Sequence, residues 1–169
     1  MNKILLLITS LFFSTSIYAI GQISGNIGVH MIIGNGCEIT GGEALNFGSL
    51  DFGEHPNINN VIDATTNSRA VNNVTLGVNC TKGVSYHLTV SNGLQPEGTQ
   101  RRMKGEKNEF IKYDLYKDAT YSLLWNSKEI LSNKANGENM PLIIYGRVPK
   151  QGFPNAGTYL DMLTITLTW

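Results

Sequence analysis

Three histidines, two cysteines and a handful of carboxylates carry whatever chemistry the 169-residue chain can do, and their spacing limits it. His30, His55 and His87 stand far apart, and none has a Cys, Asp or Glu at the spacing a metal site needs. His30 and His87 each fall on the polar side of an alternating segment, as ordinary surface residues do. No G-x-S-x-G, phosphate-binding loop, H-E-x-x-H or calcium-loop pattern occurs. Asp114, Asp118 and Asp161 would be the candidates for acid–base chemistry, but at turns and strand edges such residues cap backbone amides. Tyr86, Tyr113, Tyr116, Tyr145 and Tyr159 would be candidates for a sugar platform, and core and cross-strand packing accounts for them as well. The expectation is a chain that is not an enzyme, with no cofactor, no metal and no small-molecule substrate.

The opening residues supply an address. Lys3 is a positive n-region, Ile4 to Phe13 an apolar core, and Ser14 to Ala19 ends in small residues. That is the pattern of a secretory signal peptide over residues 1–19, with cleavage after Ala19. A membrane anchor is the competing reading, but the apolar run falls short of the roughly 20 residues a bilayer core requires. An exported chain meets an oxidising compartment, where an even cysteine count argues for one disulfide, Cys37 to Cys80. Such a bond closes a loop of about 40 residues, worth about 4 kcal/mol in the chain-entropy account.

Basic and acidic residues number 13 each, so no net field draws nucleic acid or anionic lipid. Arg101, Arg102, Lys104 and Lys107 cluster, but Glu106 and Glu109 interrupt them, which predicts a solvated loop. Eighteen glycines and recurrent period-two alternation predict short strands joined by turns. The expected strands are Ile23 to Ile33, Leu45 to Phe52, Val74 to Cys80, Tyr86 to Val90, Ile111 to Leu115, Leu142 to Val148, and a terminal run through Tyr159 and Leu163 to Trp169. Ser49 to Asn73 and Leu94 to Glu109 read as long polar loops. Seven or more strands without a helical stripe predict two packed sheets around one core.

The ends of the chain bear on function. Ile23, Ile27, Val29, Met31 and Ile33 share one apolar face, and Gly34-Asn35-Gly36 separates them from Cys37. The last strand, with Leu163, Ile165, Leu167 and Trp169 on one side, runs to the final residue, so nothing follows to cover its edge. A free strand at one end and an uncovered edge at the other suggest subunits joined head to tail. Periodicity alone favours the simpler reading, in which Ile23 to Ile33 is the first strand of its own sandwich.

A set of motifs shifts that balance. Leu45-Asn46-Phe47-Gly48 comes first, then Cys80-Thr81-Lys82-Gly83 with Tyr86 and Gly93. Arg102-Met103, Tyr113-Asp114-Leu115-Tyr116-Lys117-Asp118 and Trp125 follow. Tyr145-Gly146-Arg147-Val148-Pro149 and Gly157-Thr158-Tyr159-Leu160-Asp161 lead into the terminal strand. In order and spacing the chain resembles the spore coat protein U family, which includes subunits of archaic, Csu-type chaperone–usher pili. The resemblance implies an all-β, immunoglobulin-like sandwich lacking its final strand, over residues 37–169. It implies that residues 20–36 are a donor-strand extension and hinge, with Ile23, Ile27, Val29, Met31 and Ile33 as pocket fillers. Leu163, Ile165, Leu167 and Trp169 would form the edge offered to a chaperone and then to a neighbour.

The implied partners are a periplasmic chaperone, an outer-membrane usher and neighbouring subunits in a head-to-tail polymer on the cell surface, supporting adhesion and biofilm formation. Trp169 departs from the Tyr or Phe that often ends the family. Tip subunits carry an additional N-terminal domain, so a shaft or minor subunit fits better here. A secreted monomeric binding or spore-coat protein with a lectin-like sandwich is the alternative.

Overall fold

The computed structural model describes residues 23–41, 47–66 and 76–169. The expected signal peptide, Leu45-Asn46 and Val74 lie outside the described residues. The chain divides into two units, Met1–Ile32 and Ile33–Trp169. In the first, residues 23–32 have no regular secondary structure and their side chains are exposed.

The second unit is all β among its described residues. Its strands are β1 (Cys37–Thr40), β2 (Ile62–Thr65), β3 (Gly77–Cys80), β4 (Ser85–Val90), β5 (Arg101–Gly105) and β6 (Phe110–Tyr116). β7 (Leu131–Lys134), β8 (Met140–Pro141), β9 (Tyr145–Val148), β10 (Tyr159–Leu160) and β11 (Ile165–Thr168) complete it. A five-stranded sheet runs β10-β5-β6-β9-β2, and two three-stranded sheets run β1-β3-β8 and β11-β4-β7. Every named pairing is antiparallel.

The two small sheets are halves of one layer. β3 and β4 follow each other across a short bend, and the Gly83 and Ala135 amides carry hydrogen bonds through it. As the chain runs from β7 to β8, its partners run back from Leu88 to Gly77, so both lie on one side of the bent strand. β1 and β11 therefore lie on the other side, and they adjoin.

The alternation of β4 explains the core. Tyr86, Leu88 and Val90 are buried while Ser85 and His87 are exposed, as one wetted sheet face demands. Ile111, Tyr113 and Leu115 of β6 do the same from the five-stranded sheet, and Trp125 fills the space beside them with no exposed surface. Gly146 of β9 is required by this packing, because a Cβ there would overlap the Leu50 side chain and press on Phe52.

Several expectations need correction. The supposed loop at Leu94 to Glu109 contains β5, and the one at Ser49 to Asn73 contains β2. Arg101 is not solvated but 3% exposed, because its guanidinium finds three backbone carbonyls inside. Asp114 lies within β6 rather than at a turn. Residues 47–52, expected as a strand, have no regular secondary structure, although Phe47, Leu50 and Phe52 still pack on the core. The alternating segment Ile23 to Ile33, with His30, forms no strand in the isolated chain. A strand's backbone groups need a ladder partner, and periodicity reports the face of a segment without supplying one.

Candidate functional site

β11 ends the layer in an edge. Ile165 to Thr168 pair with Val90 to His87 of β4 on one side and have no strand partner on the other among the described residues. Leu163, Ile165 and Leu167 point toward the core but are only half-buried, whereas Leu88 and Val90 beside them are 1% exposed. Thr164, Thr166 and Thr168 face solvent, and Trp169 is 61% exposed. Cys37 and Ile39 on the adjoining β1 are also half-buried against the core. A closed sandwich buries its inward rows. Here they stay half-covered along one seam, beside unpaired backbone.

The Cys37–Cys80 disulfide sits at this seam. The two residues are direct partners in the β1–β3 ladder, and the bond closes a separation of 43 residues. The Thr81 amide donates to the Gly36 carbonyl, and its hydroxyl to the Gly34 carbonyl. The approach to β1 is thereby fixed beside the end of β3.

A polar joint closes one end of the seam. β10 belongs to the five-stranded sheet and β11 to the other layer, so the chain crosses between layers over residues 161–164. Asp161 accepts hydrogen bonds from the Leu94 amide at 2.7 Å, from its neighbour Met162 at 2.8 Å and from the Tyr113 hydroxyl at 2.7 Å. Gly93 has φ +83°, and a Cβ there would overlap the Asp161 carboxylate. Ser91 and Thr164 exchange further bonds. Beneath them Arg101 reaches from β5 to the carbonyls of Ser91, Trp125 and Val90 at 2.8, 2.7 and 3.2 Å, bolting the two layers together. Burial lowers the Arg101 pKa from its ordinary value, opposed by nearby Tyr113, Asp114 and Asp161. Burial, and then the bond to Asp161, raises that of Tyr113 well above the usual phenol range, so its hydroxyl stays a donor.

Of the three aspartates, Asp118 and Asp161 cap backbone amides, whereas Asp114 accepts from the Gln100 side chain. Asp118 accepts from the amides of Thr120, Ser122 and Leu123, and hydrogen bonding, first from the Thr120 hydroxyl, holds it well below the usual carboxylate range. This turn carries Tyr121, which stacks edge-on between Tyr116 and Tyr145 and lies over Arg147, itself paired with Asp63 across β9 and β2. Tyr86 and Tyr113 are buried, and Tyr159 bonds Glu109. His87 bonds Ser132, and His55 bonds the Phe52 carbonyl. Among the described residues no three His, Cys, Asp or Glu side chains gather as metal ligands.

The expected donor residues Ile23, Ile27, Val29, Met31 and Ile33 are 74–100% exposed, and Ile32 with them. Sequence reasoning placed Leu163, Ile165 and Leu167 together, as the structure does. It missed Arg101 and did not give Asp161 its role. The available signal was Arg101 falling in phase with Met103 and Gly105 on one side of a short strand.

A family model described as the Spore Coat Protein U domain matches residues 23–166. Protein U of Myxococcus xanthus is 26% identical over 155 residues, covering 86% of this chain and 84% of that protein. Among solved structures, the chain is similar to the CsuC–CsuE chaperone–tip adhesion subunit pre-assembly complex of the archaic chaperone-usher Csu pili of Acinetobacter baumannii. The TM-score is 0.48 and the identity 24%, over 80% of this chain and 40% of that one. A chaperone–tip adhesin complex of CFA/I fimbriae gives a TM-score of 0.44 and 12% identity, over 78% of this chain and 41% of that one. The chain thus spans about two fifths of the length of each of these two solved chains.

Proposed function

The chain belongs to the Spore Coat Protein U domain family, and from that premise we propose that it is a structural subunit of a surface pilus, assembled by donor-strand exchange. A periplasmic chaperone first lends a strand to the open seam along β11. At an outer-membrane usher, the N-terminal segment of the next subunit, Ile23 to Ile33, replaces it. The filament then stands on the cell surface and supports adhesion and biofilm formation. The observation that carries this reading is the half-covered row Leu163, Ile165 and Leu167 on an edge strand that has no strand partner on its outer side among the described residues.

The N-terminal segment supports it from the other side. Six large apolar side chains within residues 23–33 are 74–100% exposed, more than monomers usually leave in one stretch. Five pocket fillers at about 1.5–3 kcal/mol each supply on the order of 10 kcal/mol gross, part of it offset by ordering the strand. Main-chain pairing accepts any extended segment, and alternate side chains choose which one.

The similarity to Protein U and the family's own description favour a second reading, a secreted monomeric coat or binding protein. Physical state separates the two. Expressed with a periplasmic chaperone, the subunit should purify as a one-to-one complex; expressed alone, it should self-associate or be degraded. A stable, soluble monomer without any chaperone would decide for the coat or binding protein.

A further inference from the structure

β10 leaves its sheet after only two pairs. Tyr159 and Leu160 lie opposite Gly105 and Lys104 of β5. The same register continued would set Asp161 opposite Met103 and Leu163 opposite Arg101. It is not continued: the chain crosses to the other layer and pairs with β4. Along residues 101–103, β5 pairs with β6 on one side and has no strand partner on the other among the described residues. An unfilled ladder beside a departing strand calls for something that pulls the strand away.

The point of departure is Asp161. Its carboxylate is held by the Leu94 amide and the Tyr113 hydroxyl, and Gly93 leaves it the necessary space. Hydrogen bonds to a charged acceptor are about twice as strong as neutral ones, so this carboxylate can outweigh a short extension of the ladder. In the same turn the Asn92 Oδ1 is buried without a hydrogen-bond partner among the described residues. A buried acceptor left open costs free energy, so the turn is not at rest in every respect.

We propose that Asp161 is the positioning residue of the docking edge. It commits the last strand to β4 and so keeps Leu163, Ile165 and Leu167 along the seam an incoming strand must fill. Without it, the strand divides its time between β4 and the open side of β5, and the seam is correctly shaped only part of the time. The inference rests on the donor-strand reading above and assigns that site its gatekeeper.

The test uses the full mature chain purified with its chaperone, and a labelled synthetic peptide of residues 23–33 as the incoming strand. Capture is timed by fluorescence anisotropy for wild type, Tyr113→Phe, Asp161→Ala and the double variant. Ile144→Val, a buried substitution outside the joint, controls for lowered stability. Tyr113→Phe, which removes one hydrogen bond to a charged group, should capture the peptide about tenfold more slowly, and Asp161→Ala, which removes that bond and those from the Leu94 and Met162 amides, at least as slowly. The double variant should be no slower than Asp161→Ala alone, because the loss of Asp161 already removes the hydrogen bond that Tyr113→Phe removes. The control should capture at the wild-type rate even where its melting temperature falls as far. Should Asp161→Ala fail to fold, Tyr113→Phe decides alone. Wild-type capture rates in the joint variants overturn the inference. A wild-type complex that captures no peptide overturns the donor-strand reading and this inference with it.

Discussion

Cys37 and Arg101 show how single residues hold the seam in shape. Cys37 ties the entry of the domain to β3, and losing a native disulfide from a small exported domain typically costs about 2–5 kcal/mol. Cys37→Ser should therefore lower the yield of subunit in the periplasm, measured against wild type by immunoblot of periplasmic extracts. Unchanged yield would show the bond to be dispensable. Arg101→Met keeps much of the stem but strands three carbonyls in the interior. Each buried group left unpaired costs about 1–3 kcal/mol, so the chaperone-bound variant should be destabilised by several kcal/mol in urea. The disulfide was legible from an even cysteine count together with the expectation that residues 1–19 are a signal peptide. Arg101 was not, because an arginine between another arginine and a lysine looks solvated, and only the fold supplies the carbonyls that make its burial tolerable.

At the scale of elements, the strands that bury one face were readable, and those that do not alternate cleanly were hidden. Tyr86 to Val90 and Ile111 to Leu115 announced β4 and β6 because side chains on a sheet switch faces at every residue. β7, with Leu131 half-buried and three exposed polar residues after it, gave no such signal. The terminal run was legible as a strand, but its break at Asp161 was not, since the break depends on Tyr113 and Gly93, distant in sequence. The chain from Thr166 onward supplies most of the edge that a chaperone strand would pair with. Deleting residues 166–169 should abolish co-purification with the chaperone and expose the subunit to periplasmic proteases. Recovery of a stable truncated complex would place the chaperone's edge elsewhere.

The whole molecule, on this account, is an unfinished sandwich at one end of the chain and an unhoused strand at the other. Its apolar face at Ile23 to Ile33 was plain in the sequence; what would cover that face was not, because no strand among the described residues pairs with it. Val29, at the middle of this face and 94% exposed, distinguishes a donor from an ordinary first strand. In an intramolecular strand, Val29→Asp would put an unpaired charge into the subunit's own core, at a cost of several kcal/mol, and prevent folding. In a donor, the same charge matters only on entering a neighbour's apolar seam. The decisive measurement co-expresses Val29→Asp with the chaperone and compares complex yield with filaments counted on cells by electron microscopy. The account predicts a chaperone complex at wild-type yield and no filaments; loss of the complex, or filaments at wild-type number, would contradict it.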